Sequence, residues 1–386
     1  MSDNSFTEVT NQSWFSRIGG ALKGILIGML LFIISFPIII WNEKRAVDTS
    51  VGLKEAEGIV VSVAASPVSP ENNGKLIHFT ANANTDDVLE DDEFGFSVSA
   101  LKLTRTVEMY QWEEESESKT EKKLGGSTET VTTYNYREVW SNTLIDSSQF
   151  KQSSDYVNPG SMQYLGRQFI ATNVQAGDYL LPQLLVEKLQ NYELMDLKGL
   201  EGFPDNFVIQ GRQLVSGDPL RPEIGDYRIS FAAVPPGPVS VVAQQVEQSL
   251  EEFHTGTGTT VAVIESGTFS AANLFKKEQE ANSQMTWIIR LVALILMGLG
   301  IGLFLNPLKV LADVVPFLGS VVGMGTGIVA ALLALALTSV TIAITWIAVR
   351  PLLGIILLIV AGGAFYSLKT LAKKNAPVEE PEAEAS

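Results

Sequence analysis

The chain has 386 residues, no cysteine and a formal net charge of −16 at pH 7. Without cysteine there are no disulfides, thiolate metal ligands or cysteine nucleophile. The acidic balance argues against nucleic acid or anionic lipid as a partner, since both reward Lys and Arg.

Residues 1–13 are polar and show no period, which predicts a mobile start to a cytoplasmic tail over 1–23. Trp14 and Phe15 precede Arg17 and Lys23, as in an interfacial segment. An uncharged apolar run then extends from Lys23 to Glu43. A bilayer core needs about 20 such residues per helix, so the run predicts a first transmembrane helix over 24–42. Its length and the absence of an Ala-x-Ala site make it a retained anchor rather than a cleaved signal.

Residues 43–286 carry 36 Asp and Glu against 19 Lys and Arg. They predict one strand-rich, water-exposed domain. Ile59 to Val63 is β-branched, and Ile77, Phe79 and Ala81 alternate with polar neighbours. An acidic loop spans Thr85 to Glu93. Leu101 to Glu114 and Thr128 to Trp140 predict a long hairpin whose charged tip, Glu115 to Thr128, projects and moves. Pro182, followed by Leu184, Leu185 and Leu189, predicts a helix reaching about Tyr192. Strands are expected over 227–233, 239–245 and 259–265. Ser270 is placed as the N-cap of a helix that runs on to Trp287.

Three further apolar runs follow Arg290, and predict transmembrane helices over 287–308, 317–347 and 351–368. The third of the four runs is long for one span, so Pro316 and the glycines after it are expected to take up the excess. Residues 369–386 turn from basic to acidic with two prolines and predict a disordered cytoplasmic tail. The fold class is therefore α+β: an extramembrane domain inserted between transmembrane helix 1 and a three-helix membrane segment. Six Lys and Arg flank the helix ends on the termini side and seven on the domain side, so charge bias leaves the orientation open.

No catalytic residue, cofactor or metal site is expected. His78 and His254 are far apart and belong to no H-E-x-x-H, and no G-x-S-x-G or phosphate-binding glycine loop occurs. Asn82, Asn84, Asp86, Glu90 and Glu93 fit part of a calcium-loop frame. The frame lacks its first Asp and its Gly, so chance acidity is the better reading. Thr338, Ser339, Thr341 and Thr345 would line a polar path or bond within their own helix; own-helix bonding is the commoner outcome. Gly298 and Gly302, and then Gly319, Gly323 and Gly327, clear one face of a membrane helix for close packing or oligomerisation. Gly20, Gly24 and Gly28 repeat the spacing in the first helix. Tyr110, Trp112 and Trp140 mark the hairpin as an interaction surface.

With these residues in place the chain resembles the transmembrane protein 43 (LUMA) family over nearly its whole length. Asn42-Glu43-Lys44-Arg45-Ala46 after the first helix is similar to that family's N-E-x-R-A. The segments 70–78, 107–112, 225–231 and 269–271, then Trp287, Arg290, 338–341 and 350–352, follow in the family's order. The resemblance implies four spans, both termini in the cytoplasm or nucleoplasm, and the large domain in the lumen or periplasm. In animals it implies the inner nuclear membrane, lamins, emerin and self-association. It carries over no catalytic residue. The lack of cysteine, the short N-terminal tail and the more acidic loop at 86–93 point to a bacterial member, in the inner membrane with a periplasmic domain. A eukaryotic source would place it in the endoplasmic reticulum or inner nuclear membrane. The function expected is a multi-pass scaffold, a homo-oligomer in contact with lipids and other membrane proteins. The alternatives are a channel formed by an oligomer and, behind it, a membrane-tethered enzyme.

Overall fold

The computed structural model describes residues 4–349. In chain order it contains strand β1 (Ser5–Gln12), helix α1 (Trp14–Ile59), β2 (Val61–Ser62), β3 (Leu76–Thr85), β4 (Val88–Asp91), β5 (Phe96–Ser99), β6 (Lys102–Lys122) and β7 (Thr128–Ser141). Short strands β8 (Arg167–Ile170), β9 (Val174–Ala176) and β10 (Tyr179–Leu181) lead to α2 (Gln183–Lys188), β11 (Glu193–Leu194), β12 (Phe207–Gln210) and β13 (Gln213–Ser216). Then come β14 (Tyr227–Val234), β15 (Gly237–Val246), β16 (Ser249–Glu251), β17 (Phe253–His254), β18 (Thr260–Val261), β19 (Val263–Ser266), α3 (Ala271–Ala312) and α4 (Pro316–Val349). The fold is α+β, as expected.

The chain divides into two compact units. One, over 4–13, 48–123 and 127–281, holds the sheets. Its first large sheet has the order β1-β7-β6-β14-β13-β12, and its second runs β19-β15-β16-β10-β9-β3-β2. A single apolar core takes Leu103, Val107, Ile229 and Phe231 from the first and Ile77, Phe79, Val239 and Val241 from the second. Alternation along β3 and β15 turns Leu76 and Val242 to the opposite face, where Leu53 and Ala56 of α1 and Leu274 and Phe275 of α3 cover them. The second sheet is thus buried on both faces where β3 meets β15, which fits the run Val241-Val242-Ala243 in β15.

Several sequence expectations change here. The start of the chain pairs with β7, Ser5 opposite Asn135 through Gln12 opposite Thr128. Its Phe, Thr and Val suit a strand, but the partner lies more than 100 residues away and no local signal announces it. The hairpin exists and is longer than expected: Glu115 to Lys122 stay in the ladder. Hydroxyl pairs support it there, Ser118 with Thr132 at 2.8 Å and Thr120 with Thr130 at 2.9 Å. The acidic loop is a small hairpin of β4 and β5. Helix α1 extends through Ile59, leaving only Val61 and Ser62 extended. The expected helix after Pro182 shrinks to α2, because buried Lys102 donates to the carbonyls of Glu187 and Leu189 at 2.7 and 2.8 Å and so caps the helix end. Ser270 does cap α3, accepting from the Asn273 amide at 3.3 Å.

The other unit comprises, of the described residues, 14–47, 124–126 and 282–349. Among the described residues three helices, α1, α3 and α4, are long and apolar enough to cross a bilayer. They outrun the expected spans at their ends, and the glycines after Pro316 lie inside α4 rather than before it. The fourth expected span, 351–368, lies outside the described residues. The helices pack through Ile39, Ala293, Met297, Ile301, Ala330 and Ala334.

The closest approach of α1 to α3 is at Gly28 and Gly300. A Cβ on Gly28 would lie 2.7 Å from the Gly300 carbonyl oxygen, and one on Gly300 would lie 2.8 Å from the Gly28 carbonyl and the Phe32 amide. These are backbone atoms and cannot yield cheaply. Gly300→Val should therefore push the helices apart and destabilise the bundle by about 1–3 kcal/mol, the range for overpacking a close-packed site. Gly325→Val in α4, where nothing among the described residues lies within 4 Å, is the control. Thermal unfolding of both variants in nanodiscs checks the difference.

Candidate functional site

The membrane unit holds a buried polar cluster where charged residues end the apolar runs. Glu43 of α1 is 1% exposed. It accepts two hydrogen bonds from the Arg290 guanidinium of α3, at 2.6 and 2.7 Å, and one from Trp346 Nε1 of α4 at 2.7 Å. One carboxylate therefore joins three helices. Asn42 donates to the Thr286 carbonyl at 3.1 Å, and Arg45 to Thr286 Oγ1 and Asn282 Oδ1 at 3.1 and 3.2 Å. Arg290 also stacks on Trp287 at 4.8 Å. At the opposite ends of α1 and α3, Asp313 is fully buried and pairs with Arg17, while Trp14 Nε1 donates to the Val310 carbonyl at 2.9 Å. Each end of the bundle is thus pinned by a paired charge, as buried charge requires.

The glycine sets separate. Gly319 abuts Asp313, and Gly323 abuts the Lys309 side chain at 3.1 Å or more, so this chain fills both. Gly298 faces Ala334 Cβ at 3.7 Å. Among the described residues nothing lies within 4 Å of a Cβ placed on Gly302 or Gly327. Gly28, inside the four-residue spacing, meets Gly300, outside it, backbone to backbone, and spacing alone could not supply that partner. The hydroxyls of Thr341 and Thr345 donate to the carbonyls of Leu337 and Thr341 at 2.7 and 2.8 Å, and Thr338 lies 3.6 Å from Met297 Sδ. All three are buried.

In the sheet unit the hairpin aromatics come together on one face. Tyr110 lies opposite Trp140 and Trp112 opposite Glu138, while Val107, Met109 and Gln111 take the buried face. The Tyr110 and Trp140 rings are 5.0 Å apart, and Arg228 of β14 stands 4.9 Å from the Trp140 ring. Arg228 is also paired with Glu108, and Tyr110 donates to Glu138 at 3.2 Å. Trp112 meets Tyr156 edge-on at 4.8 Å, and Tyr156 stacks on Tyr136 at 3.8 Å. Tyr110, Trp112, Trp140 and Arg228 are half-buried, so the face is open in part. Burial, with the Glu114 carboxylate accepting from its hydroxyl at 2.7 Å, pushes the Tyr136 pKa up to about 12. Sequence reasoning missed Arg228 and Tyr156, because strand register across the sheet is not readable from one strand.

The remaining ionisable candidates have structural partners. His78 Nε2 donates to the Phe269 carbonyl at 2.9 Å and Nδ1 lies 3.3 Å from Ser62 Oγ. His254 Nδ1 is 3.2 Å from Thr260 Oγ1. Glu93 from the calcium-like frame, and Asp91 outside it, bind the Arg105 guanidinium at 2.6 and 2.8 Å. Burial raises the Asp91 carboxyl, and Arg105 opposes that shift. Asp87 accepts from the amide and side chain of both Thr172 and Asn173, and these bonds, led by the Asn173 side chain, lower its pKa to about 2. Among the described residues no group of three or more His, Cys, Asp or Glu could hold a metal ion.

Apolar helices pinned by buried ion pairs, together with a strand-rich domain, define an integral membrane protein with a large extramembrane domain. The sequence profile described as "Transmembrane protein 43" matches residues 109–351. Human "Transmembrane protein 43" is 32% identical over 381 residues, covering 96% of this chain and 94% of its own. The mouse protein of that name is 32% identical over 358 residues, covering 90% and 89%. A Drosophila melanogaster homolog is 29% identical over 358 residues, covering 88% and 92%. The chain belongs to the transmembrane protein 43 family. No solved structure matches it.

Proposed function

We propose that the chain is a non-catalytic membrane scaffold. Four spans hold the acidic domain at a bilayer surface, and a face of that domain joins copies of the chain and recruits other membrane proteins. In a bacterial source the domain is periplasmic and the membrane is the inner one; in a eukaryotic source it is lumenal, in the endoplasmic reticulum or inner nuclear membrane.

The observation that carries this reading is the half-open face of Tyr110, Trp112, Trp140 and Arg228 on a rigid ladder. Tyr, Trp and Arg supply most interface hot spots, because each buries a large area at small entropic cost. Val107 and Met109 on the opposite face lock the ladder into the core.

Light scattering on the full chain in nanodiscs tests it. A discrete oligomer is expected, and Tyr110→Ala with Trp140→Ala should reduce it to the 41.9 kDa single chain. A wild-type monomer, or an oligomer that the double variant leaves intact, overturns the self-association. Liposomes carrying the protein should show no ion flux. Flux would favour the channel reading instead.

A further inference from the structure

The membrane unit carries an open groove along α3 and α4. At one end Trp287, Arg290 and Trp346 bound a volume of about 540 Å³; it continues past Leu294 and Leu335 into about 660 Å³ that ends at Asn306 and Gly327. The floor is apolar and low, since Gly298, Gly302, Gly327 and Ala331 raise no bulk into it. A low floor admits a helix backbone at close range, where dispersion and weak C–H···O contacts drive association in lipid.

We propose that this groove seats the chain's own apolar segment 351–368. The inference rests on the four-span reading above. Three observations select this occupant. Val349 ends α4 three residues beyond Trp346, so the next segment starts at the Trp346 end of the groove. The floor from Trp346 to Gly327 is about 28 Å long on α4, and 18 residues of helix span about 27 Å. Residues 351–368 carry no charge, which suits a lining that is mostly apolar, with Arg290, Thr338 and Ser339 near one end and Asn306 at the other. A segment tethered through Arg350 also meets the groove at an effective concentration in the millimolar range, an advantage that a second copy lacks.

The chain has no cysteine, so paired cysteines report the seat directly. A helix returning antiparallel from Arg350 brings residue 365 about level with Leu335. Leu335→Cys is combined in turn with Gly363→Cys, Ala364→Cys, Phe365→Cys and Tyr366→Cys, which together cover one helical turn. The expected result on oxidation in nanodiscs is an intramolecular disulfide in at least one pair. Leu333→Cys, which lines a different cavity beside Gly28 and Gly300, should give none with the same four. Cross-linking through Leu333 instead, disulfide-linked dimers through Leu335, or no disulfide in any pair overturns the proposal. Those outcomes would assign the groove to another face of the bundle, a second copy or lipid chains.

A separate measurement isolates the four-span reading. Ser2→Cys and Ser386→Cys in sealed vesicles should be labelled by an impermeant maleimide from the same side. Opposite sides would refute the fourth span itself, whereas same-side labelling without a disulfide would refute only the seat.

Discussion

Arg290→Met should unfold the membrane unit far more easily than wild type, by about 3–5 kcal/mol, the range for breaking a buried pair by removing one partner. The cost arises at Glu43. That carboxylate is 1% exposed, and two of its three hydrogen bonds come from the guanidinium. Among the described residues only Trp346 remains to satisfy it in the variant. Glu43→Gln combined with Arg290→Met removes the charge as well as its partner, and should recover most of the loss, since apolar or neutral replacements of a whole pair are often tolerated. Thermal or denaturant unfolding in nanodiscs, followed through the tryptophans, measures both. Equal losses in the single and double variants would show that packing, rather than an unpaired charge, sets the cost.

The same cluster shows what was legible in the sequence. Asn42 to Ala46 and Arg290 stand out as charged punctuation beside apolar runs, so their place at helix ends could be read directly. That Glu43 meets Arg290 and Trp346 could not be read, because the pairing spans more than 240 residues and depends on how three helices pack. The helix of α1 was similarly readable in its apolar middle and not in its reach to Ile59. Beyond the membrane its inward residues, Leu53 and Ala56, are few, and the surface they cover belongs to β3 and β15. Strands behaved differently again. β3 announces itself by apolar–polar alternation and β15 by its valines, whereas β1 is held by a ladder to β7 that only tertiary structure supplies. Small-residue spacing found Gly28 and Gly319 but not Gly300 opposite Gly28, since contact depends on what lies opposite a glycine rather than on the glycine's period.

Arg105→Met should have a comparable effect in the sheet unit, with a pH dependence that identifies the cause. Arg105 is 4% exposed, holds both oxygens of Asp91 at 2.8 and 2.9 Å and reaches Glu93 at 2.6 Å. Its guanidinium also donates to the Leu165 carbonyl at 3.0 and 2.8 Å and lies 4.9 Å from the Phe94 ring. Removing it leaves Asp91, 2% exposed, as a buried carboxylate with little but the Phe94 and Glu93 amides to stabilise it, at a cost of about 3–5 kcal/mol near neutral pH. Burial already raises the Asp91 carboxyl in the intact protein, and Arg105 opposes the rise. Without Arg105 the folded-state value climbs further above the unfolded one. The folded variant then binds more protons than the unfolded chain between those two values, so its stability falls as pH rises through that window and returns as pH drops below it. Denaturant unfolding of the variant should therefore show a smaller deficit at pH 4 than at pH 7. Arg105→Met with Asp91→Asn should show none of that dependence. A deficit that is the same at both pH values would assign the loss to the Leu165 and Phe94 contacts rather than to the stranded charge.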